Sequence, residues 1–295
     1  IRLFMKRYFA LIFLLTHFSV SCAQDDWDFD KPADELGPAF YDTRIVNAQS
    51  AETLEKGMWD VRIAHRFGDM ATSGSGSTFF GLDNSADITI GTDYAITDDM
   101  LVGIYRNKGA GPYSQLMHGL FKYKLFDQRE NKPFTLTANT NMFYTLMGSS
   151  SDSSGVTYFK KTAHRASYFS QLILARNLKD KVSLQLSLGV LHRNLVSFDD
   201  QNTSLAIGGV IKLKLAKKIS LIGEYNHLFR TTNMINLVEY VDPIGIGLEF
   251  KTFAHVFQLN FTNSKGMGEV QYLAYTASKW SKGEFRLGFT ISRHF

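Results

Sequence analysis

Between residues 58 and 295 apolar side chains recur at every second position in segment after segment, and few folds accept that period. Phe134, Leu136, Ala138, Met142 and Tyr144 share one parity, while Thr135, Thr137, Asn139 and Asn141 hold the other. Val182, Leu184, Leu186, Leu188 and Val190 oppose Ser183, Gln185, Ser187 and Gly189 in the same way. So do Phe257, Leu259 and Phe261 against Gln258, Asn260 and Thr262. Successive strand residues point to opposite faces, so this pattern sets one face in an apolar medium and the other in a polar one. No stretch after the N-terminal region approaches the roughly 18 uninterrupted apolar residues that would indicate a spanning helix.

The alternation predicts twelve strands, near 58–67, 85–95, 100–107, 115–126, 134–147, 165–176, 182–195, 203–216, 219–230, 243–252, 255–263 and 285–295. Most match the roughly 9–11 residues with which a tilted strand crosses a bilayer. The connections sort by length. Thr97 to Asp99, Asp127 to Lys132, Lys179 to Lys181, Lys217-Lys218 and Thr252-Phe253 are short, and every intervening connection is longer. Short periplasmic turns alternating with longer outer loops are the pattern of outer-membrane barrels. Pro112, Pro133 and Pro243 fall in connections or at strand edges, where no ladder donor is lost. The fold class expected is therefore all-β, a transmembrane antiparallel up-and-down β-barrel of about 12 strands, with 10 or 14 as alternatives. The last segment is patterned too, with Phe285, Leu287, Phe289, Ile291 and Phe295 on one parity. An alternating aromatic strand with a terminal Phe resembles the signal read by the barrel assembly machinery, which is one expected partner beside outer-membrane lipid.

Residues 1–23 read as a signal peptide: Lys6 and Arg7, an apolar run from Phe9 to Leu15, then Ser21-Cys22-Ala23. Lipidation of Cys22 is the alternative to cleavage after Ala23. The net charge is +4, and three cations and no acid (Arg2, Lys6, Arg7) sit in this leader. The remainder is nearly neutral and carries no basic block, so nucleic acid is not an expected partner. Residues 24–57 begin with Asp25, Asp26, Asp28, Asp30, Asp34 and Glu35 beside Pro32 and Pro38, which predicts a polar, mostly irregular periplasmic arm before the barrel at 58–295.

Several segments go beyond generic alternation. Arg62 to Asp69 (RIAHRFGD), Phe80 to Asn84 (FGLDN), Leu184-Gln185-Leu186, His192 to Leu195 (HRNL), His255 to Leu259 (HVFQL), Phe261 to Met267 (FTNSKGM) and Ile291-Ser292-Arg293 resemble an outer-membrane β-barrel family of unknown function found in Bacteroidetes. The resemblance covers roughly residues 43–295. It implies the barrel and the outer-membrane location and supplies no activity.

Parity assigns a lumen lining: Asp60, Arg62, Asp87, Asp93, His118, Lys122, Lys124, Lys212, Lys214, Glu224, Glu249, Lys251 and Arg286. The signs are mixed, which favours charges paired across a narrow interior over a single-sign selectivity ring. His65, His118, His192, His227 and His255 lie on separate strands without metal-ligand spacing, so neither metal nor cofactor is expected. A loose His192–Ser197 pairing is the one catalytic candidate, and a non-enzyme is the expectation. The outer loop from Asn263 to Glu284 carries Met267, Val270, Tyr272, Leu273, Tyr275 and Trp280, either as a short helix folded into the barrel mouth or as a partner-binding flap. Two functions stay open: a narrow channel or facilitator for small polar solutes, and a non-transporting barrel with a filled lumen that anchors or scaffolds an envelope partner.

Overall fold

The computed structural model describes residues 36–84, 87–109 and 111–295. The signal peptide, Cys22 and residues 24–35 of the expected arm lie outside the described residues. Twelve antiparallel strands close into one barrel. They are β1 (Trp59–Asp69), β2 (Asp87–Ala95), β3 (Met100–Lys108), β4 (Gln115–Phe126), β5 (Thr135–Thr145), β6 (Ala166–Leu178), β7 (Val182–Arg193), β8 (Thr203–Ala216), β9 (Ile219–Leu228), β10 (Ile244–Lys251), β11 (His255–Thr262) and β12 (Arg286–His294). Each pairs with its sequence neighbours, and β12 pairs with β1, setting Phe289 opposite His65 and Ile291 opposite Ile63. The C-terminal residue extends that seam: Phe295 N–H donates to the Trp59 carbonyl at 2.9 Å, and Trp59 N–H donates to the Phe295 carbonyl at 3.2 Å.

The alternation has a direct structural counterpart. Along β7, Leu184, Leu186, Leu188 and Val190 are exposed on the outer face, while Ser183 and Gln185 are buried on the inner one. Short turns gather at one end of the barrel and long connections at the other. The strands end earlier than the alternation predicts at several outer ends, for example at Thr145, Arg193 and Leu228. There the chain leaves the ladder for loop contacts such as Arg193 on Asp200 at 2.7 Å.

The interior is filled from both ends. Residues 38–54, which composition assigns to a periplasmic arm, instead run inside the barrel and turn back through a small hairpin, Arg44–Ile45 against Ala48–Gln49. Phe40, Asp42, Ile45, Asn47, Gln49, Ser50, Ala51 and Glu52 are all buried. The physical reason is complementarity. Phe40, Ile45, Ala48 and Ala51 pack against the inward-facing Ile173, Val210 and Ile222, and the polar groups of the segment meet the charged side of the wall. From the opposite end the last outer loop folds in as a short helix, α1 (Glu269–Tyr275). Its Val270, Tyr272 and Leu273 pack on Leu116, Phe143, Phe169 and Leu191 of the wall.

Strand glycines are placed by this filling. Gly91 faces Tyr105, and a methyl group there would fall 2.1 Å from the ring and 2.5 Å from the Ile104 carbonyl. Gly119 faces open space. Gly91→Ala is expected to destabilise the folded barrel by about 1–3 kcal/mol through overpacking, and Gly119→Ala to be near neutral. Urea titration of the heat-modifiable gel band compares the two, and equal midpoints would refute the packing account.

Candidate functional site

The lumen is the candidate site, and its wall is built by strand parity. Asp60, Arg62, Asp87, Asp93, His118, Lys122, Lys124, Lys212, Glu224, Glu249 and Arg286 all lie buried on the inner face. Lys214 is half-buried, and Lys251 is exposed at the periplasmic rim. Phe285, Leu287, Phe289, Ile291 and Phe295 carry the opposite parity; Ile291 and Phe295 are exposed, and Phe285 stacks on Trp280 at 4.7 Å.

What brings the wall groups together is the inserted hairpin. Arg62 grips Asp42 with both terminal nitrogens, one of them at 2.9 Å, and reaches Asp60 at 3.1 Å. Lys122 Nζ donates to three carbonyls of the hairpin, Thr43 at 3.0 Å, Ser50 at 2.9 Å and Glu52 at 3.1 Å, which uses all three of its protons. Glu224 accepts from the backbone N–H groups of Asn47 and Ala48 at 2.9 and 2.8 Å and from the Asn47 side chain. The Thr43 hydroxyl donates to Asp93 at 3.2 Å. Gln185 accepts from Ala51 N–H at 3.0 Å, and Gln258 bridges Glu249 to the Arg44 carbonyl. Tyr41 lies between two lysines, with Lys212 Nζ 4.0 Å and Lys251 Nζ 4.7 Å from its ring centre.

The remaining wall groups serve local networks. Lys124 pairs with Asp127 of the β4–β5 turn at 3.0 Å. Burial works against ionisation of Asp127, but hydrogen bonds from Arg129 and the charge of Lys124 hold its carboxyl well below the usual carboxylate range. His118 bonds Asn141 at 2.9 Å and stacks on Tyr105 and Phe143. Arg286 pairs with Asp69 and donates to the Asn263 carbonyl at 2.8 Å. Asp87 lies at the outer mouth beside Gly109 and Lys108. His192 and Ser197 do not meet: His192 bonds Thr203 and Asn194, and Ser197 accepts from Asn236.

Hairpin and helix touch at Glu269. Its Oε1 accepts from Gln49 at 2.9 Å and lies 3.7 Å from Arg44, so the two inserted segments meet in mid-barrel. Parity could not reveal Asp42, Arg44, Asn47 or Glu52, because these partners sit before the first strand. The available signal was the change in composition after Pro38: residues 43–51 hold neither proline nor glycine and no acid, unlike 25–35.

The model of a membrane-bound beta barrel domain, DUF5777, matches residues 40–295, and so includes the inserted hairpin. The chain belongs to this family. It is a domain of unknown function, located in the bacterial outer membrane. No curated protein matches the sequence of this DUF5777 member. Among solved structures it is similar to the KdgM porin in complex with disordered oligogalacturonate, with 10% identity over 80% of this chain and 99% of that one and a TM-score of 0.51. An outer membrane channel from Pseudomonas putida F1 is similar at 15% identity over 85% and 100% of the two chains, with a TM-score of 0.49. Identities this low speak for the fold.

Two expectations follow from the contacts. Lys122→Met takes a donor from three buried carbonyls, of which Thr43 keeps the Ser50 N–H, and should weaken the hairpin's hold by on the order of 2 kcal/mol. Hydrogen exchange should then speed up over 43–52 with the strands unchanged; unaltered protection there would remove Lys122 as the latch. Burial, and then the charges of Glu249 and Asp180, push the Tyr41 phenol up to about 12. A phenol raised from its ordinary value near 10 favours the inserted state below pH 10 and loses that contribution as pH climbs toward 12. Hairpin protection should therefore fall more steeply between pH 10 and 12 in the wild type than in Tyr41→Phe, and superimposable curves would contradict this.

Proposed function

We propose that this DUF5777 barrel is a narrow channel for small polar solutes, closed in the state described by the hairpin at 38–54 and by α1, and opened when the hairpin withdraws toward the periplasm. The supporting observation is the chemistry of the wall that the hairpin covers. Buried ion pairs are a poor way to build a permanent seal, since apolar residues of similar volume usually stabilise as well or better. A wall carrying Arg62, Lys122, Lys212, Asp60, Asp93 and Glu249 instead suits a surface that is wet part of the time. The hairpin's polar contacts exchange readily for water, because each is worth only about 1 kcal/mol net. Twelve strands enclose more space than the eight that side chains alone can fill and less than the 16 or more of wide porins. That is room for one hairpin, or for a small solute in its place.

The second reading is the sealed anchor, and the apolar contacts of Phe40 and Ile45 with Ile173, Val210 and Ile222 favour it. Planar-bilayer recording separates the two. The full chain should be mostly closed with brief openings. Ala48→Pro with Ala51→Pro removes the N–H groups given to Glu224 and Gln185, and should raise the open probability at least tenfold. A folded double variant whose hairpin exchanges freely but which never conducts would decide for the anchor.

A further inference from the structure

Three lysines of the periplasmic half of the wall have no carboxylate within ion-pair distance among the described residues. Lys122 is held only by hairpin carbonyls. Lys212, buried, and Lys251, exposed at the rim, lie against the ring of Tyr41. The strand cations of inward parity in this half, the buried Arg62, Lys122, Lys124 and Lys212 and the exposed rim residue Lys251, number five even without the half-buried Lys214. The carboxylates facing them, Asp60, Asp93 and Glu249, number three. The excess is two, and the hairpin carries two acids into this half, Asp42 and Glu52. Its own cation, Arg44, is directed away from them to Glu269. In the β4–β5 turn Asp127 and Arg129 add no net charge, Asp127 pairing with both Arg129 and Lys124 and Arg129 also lying 4.0 Å from Glu52.

The Asp42 carboxylate is held as a ligand would be. Both terminal nitrogens of Arg62 contact it, one on each oxygen, the fork geometry with which a guanidinium recognises a carboxylate. Gln258 Nε2 lies 3.4 Å from one of the same oxygens, and Thr43 N–H donates to the other at 2.7 Å. Asp42 is moreover the one of Arg62's two acidic partners that arrives on the removable segment; Asp60 belongs to β1.

We propose that Arg62, with Lys122, Lys212 and Lys251, forms a carboxylate-binding site at the periplasmic end of the lumen, and that Asp42 of the hairpin is its internal occupant. The site selects small carboxylate-bearing solutes once the hairpin leaves. This assignment of a solute class rests on the channel reading. The hairpin then has two roles: it blocks the passage, and it satisfies the cations that the passage needs when open. A solute carrying a carboxylate competes with Asp42 for Arg62, so it favours the state in which it can pass.

Succinate is the probe, with two readouts. In bilayers under a potassium chloride gradient, the Ala48→Pro, Ala51→Pro channel should reverse toward the chloride potential, and millimolar succinate should reduce its single-channel current. Adding Arg62→Gln or Lys212→Gln should cut the anion preference several-fold and relieve the block. In the full-length wild type, succinate should speed hydrogen exchange across 43–52 several-fold, and potassium chloride of equal ionic strength should not. A conducting channel that prefers cations, or whose selectivity Arg62→Gln leaves unchanged, overturns the site and leaves the channel standing. Accelerated exchange from a barrel that never conducts keeps the carboxylate site and removes the channel. Unchanged exchange together with unblocked current overturns the site.

Discussion

A strand that crosses hydrocarbon has no water to satisfy its backbone, so each of its N–H and C=O groups needs a partner on a neighbouring strand. The pairing of β12 with β1 meets that demand for the two strands that would otherwise be edges, and the Trp59–Phe295 hydrogen bonds carry it to the last residue. Everything else in the molecule answers to this closure. It fixes twelve strands around one axis and thereby a lumen wider than facing side chains can fill. Such a space holds either water or more chain. Here the chain enters from both ends, and the two segments meet at the Glu269 carboxylate, shared by Gln49 and Arg44, and around the Arg66 guanidinium, shared by Asn47 and the Gly266 carbonyl.

The filled lumen resolves the mixed charge of the wall. Charges removed from water need partners, and a desolvated ammonium is costly without them. Lys122 finds three carbonyls, Arg62 finds Asp42 and Asp60, and Glu224 finds two backbone N–H groups. One short hairpin therefore ties strands β1, β4, β7, β9 and β11 to a common object through Arg62, Lys122, Gln185, Glu224 and Gln258. Between these polar ties, on β6, β8 and β9, Ile173, Val210 and Ile222 give the same hairpin an apolar seat.

How far this was legible depends on where the information sits. Strand parity is local and strong, so the twelve strands, their order and the inward side of Asp60 through Arg286 could be read from alternation alone. The apolar content of 263–284 likewise pointed to the helix in the mouth as one of two readings. The hairpin was hidden because its pairing is non-local. Asp42 meets Arg62 across the lumen and Asn47 meets Glu224 from far along the chain, and neither contact leaves a period in the sequence. The acids ahead of it make the whole segment look like a solvated arm. What the composition understated was that acids are also what a lumen with surplus lysines requires.

The two closures are not equivalent. Helix α1 is tethered at both ends, to β11 and β12, and seats Val270, Tyr272 and Leu273 among Leu116, Phe143, Phe169 and Leu191. Freeing it would expose a row of large apolar groups, at roughly 25 cal/mol for each Å². The hairpin segment offers Phe40, Ile45 and Leu54 as its large buried apolar groups, with Val46 partly buried beside them, and holds on besides through hydrogen bonds and ion pairs. Its polar contacts lose little when water replaces them, so the periplasmic closure is the one the physics allows to move first. When it moves, Glu269 loses both Gln49 and Arg44 and keeps Asn141, at 3.4 Å, as its remaining contact among the described residues. A carboxylate buried with so little support draws in water, and α1 carries that carboxylate in its first turn. Withdrawal at one end of the barrel thus loosens the other, because Glu269 and the buried Arg66, which donates both to Asn47 of the hairpin and to the Gly266 carbonyl of the last outer loop, each hold both closures.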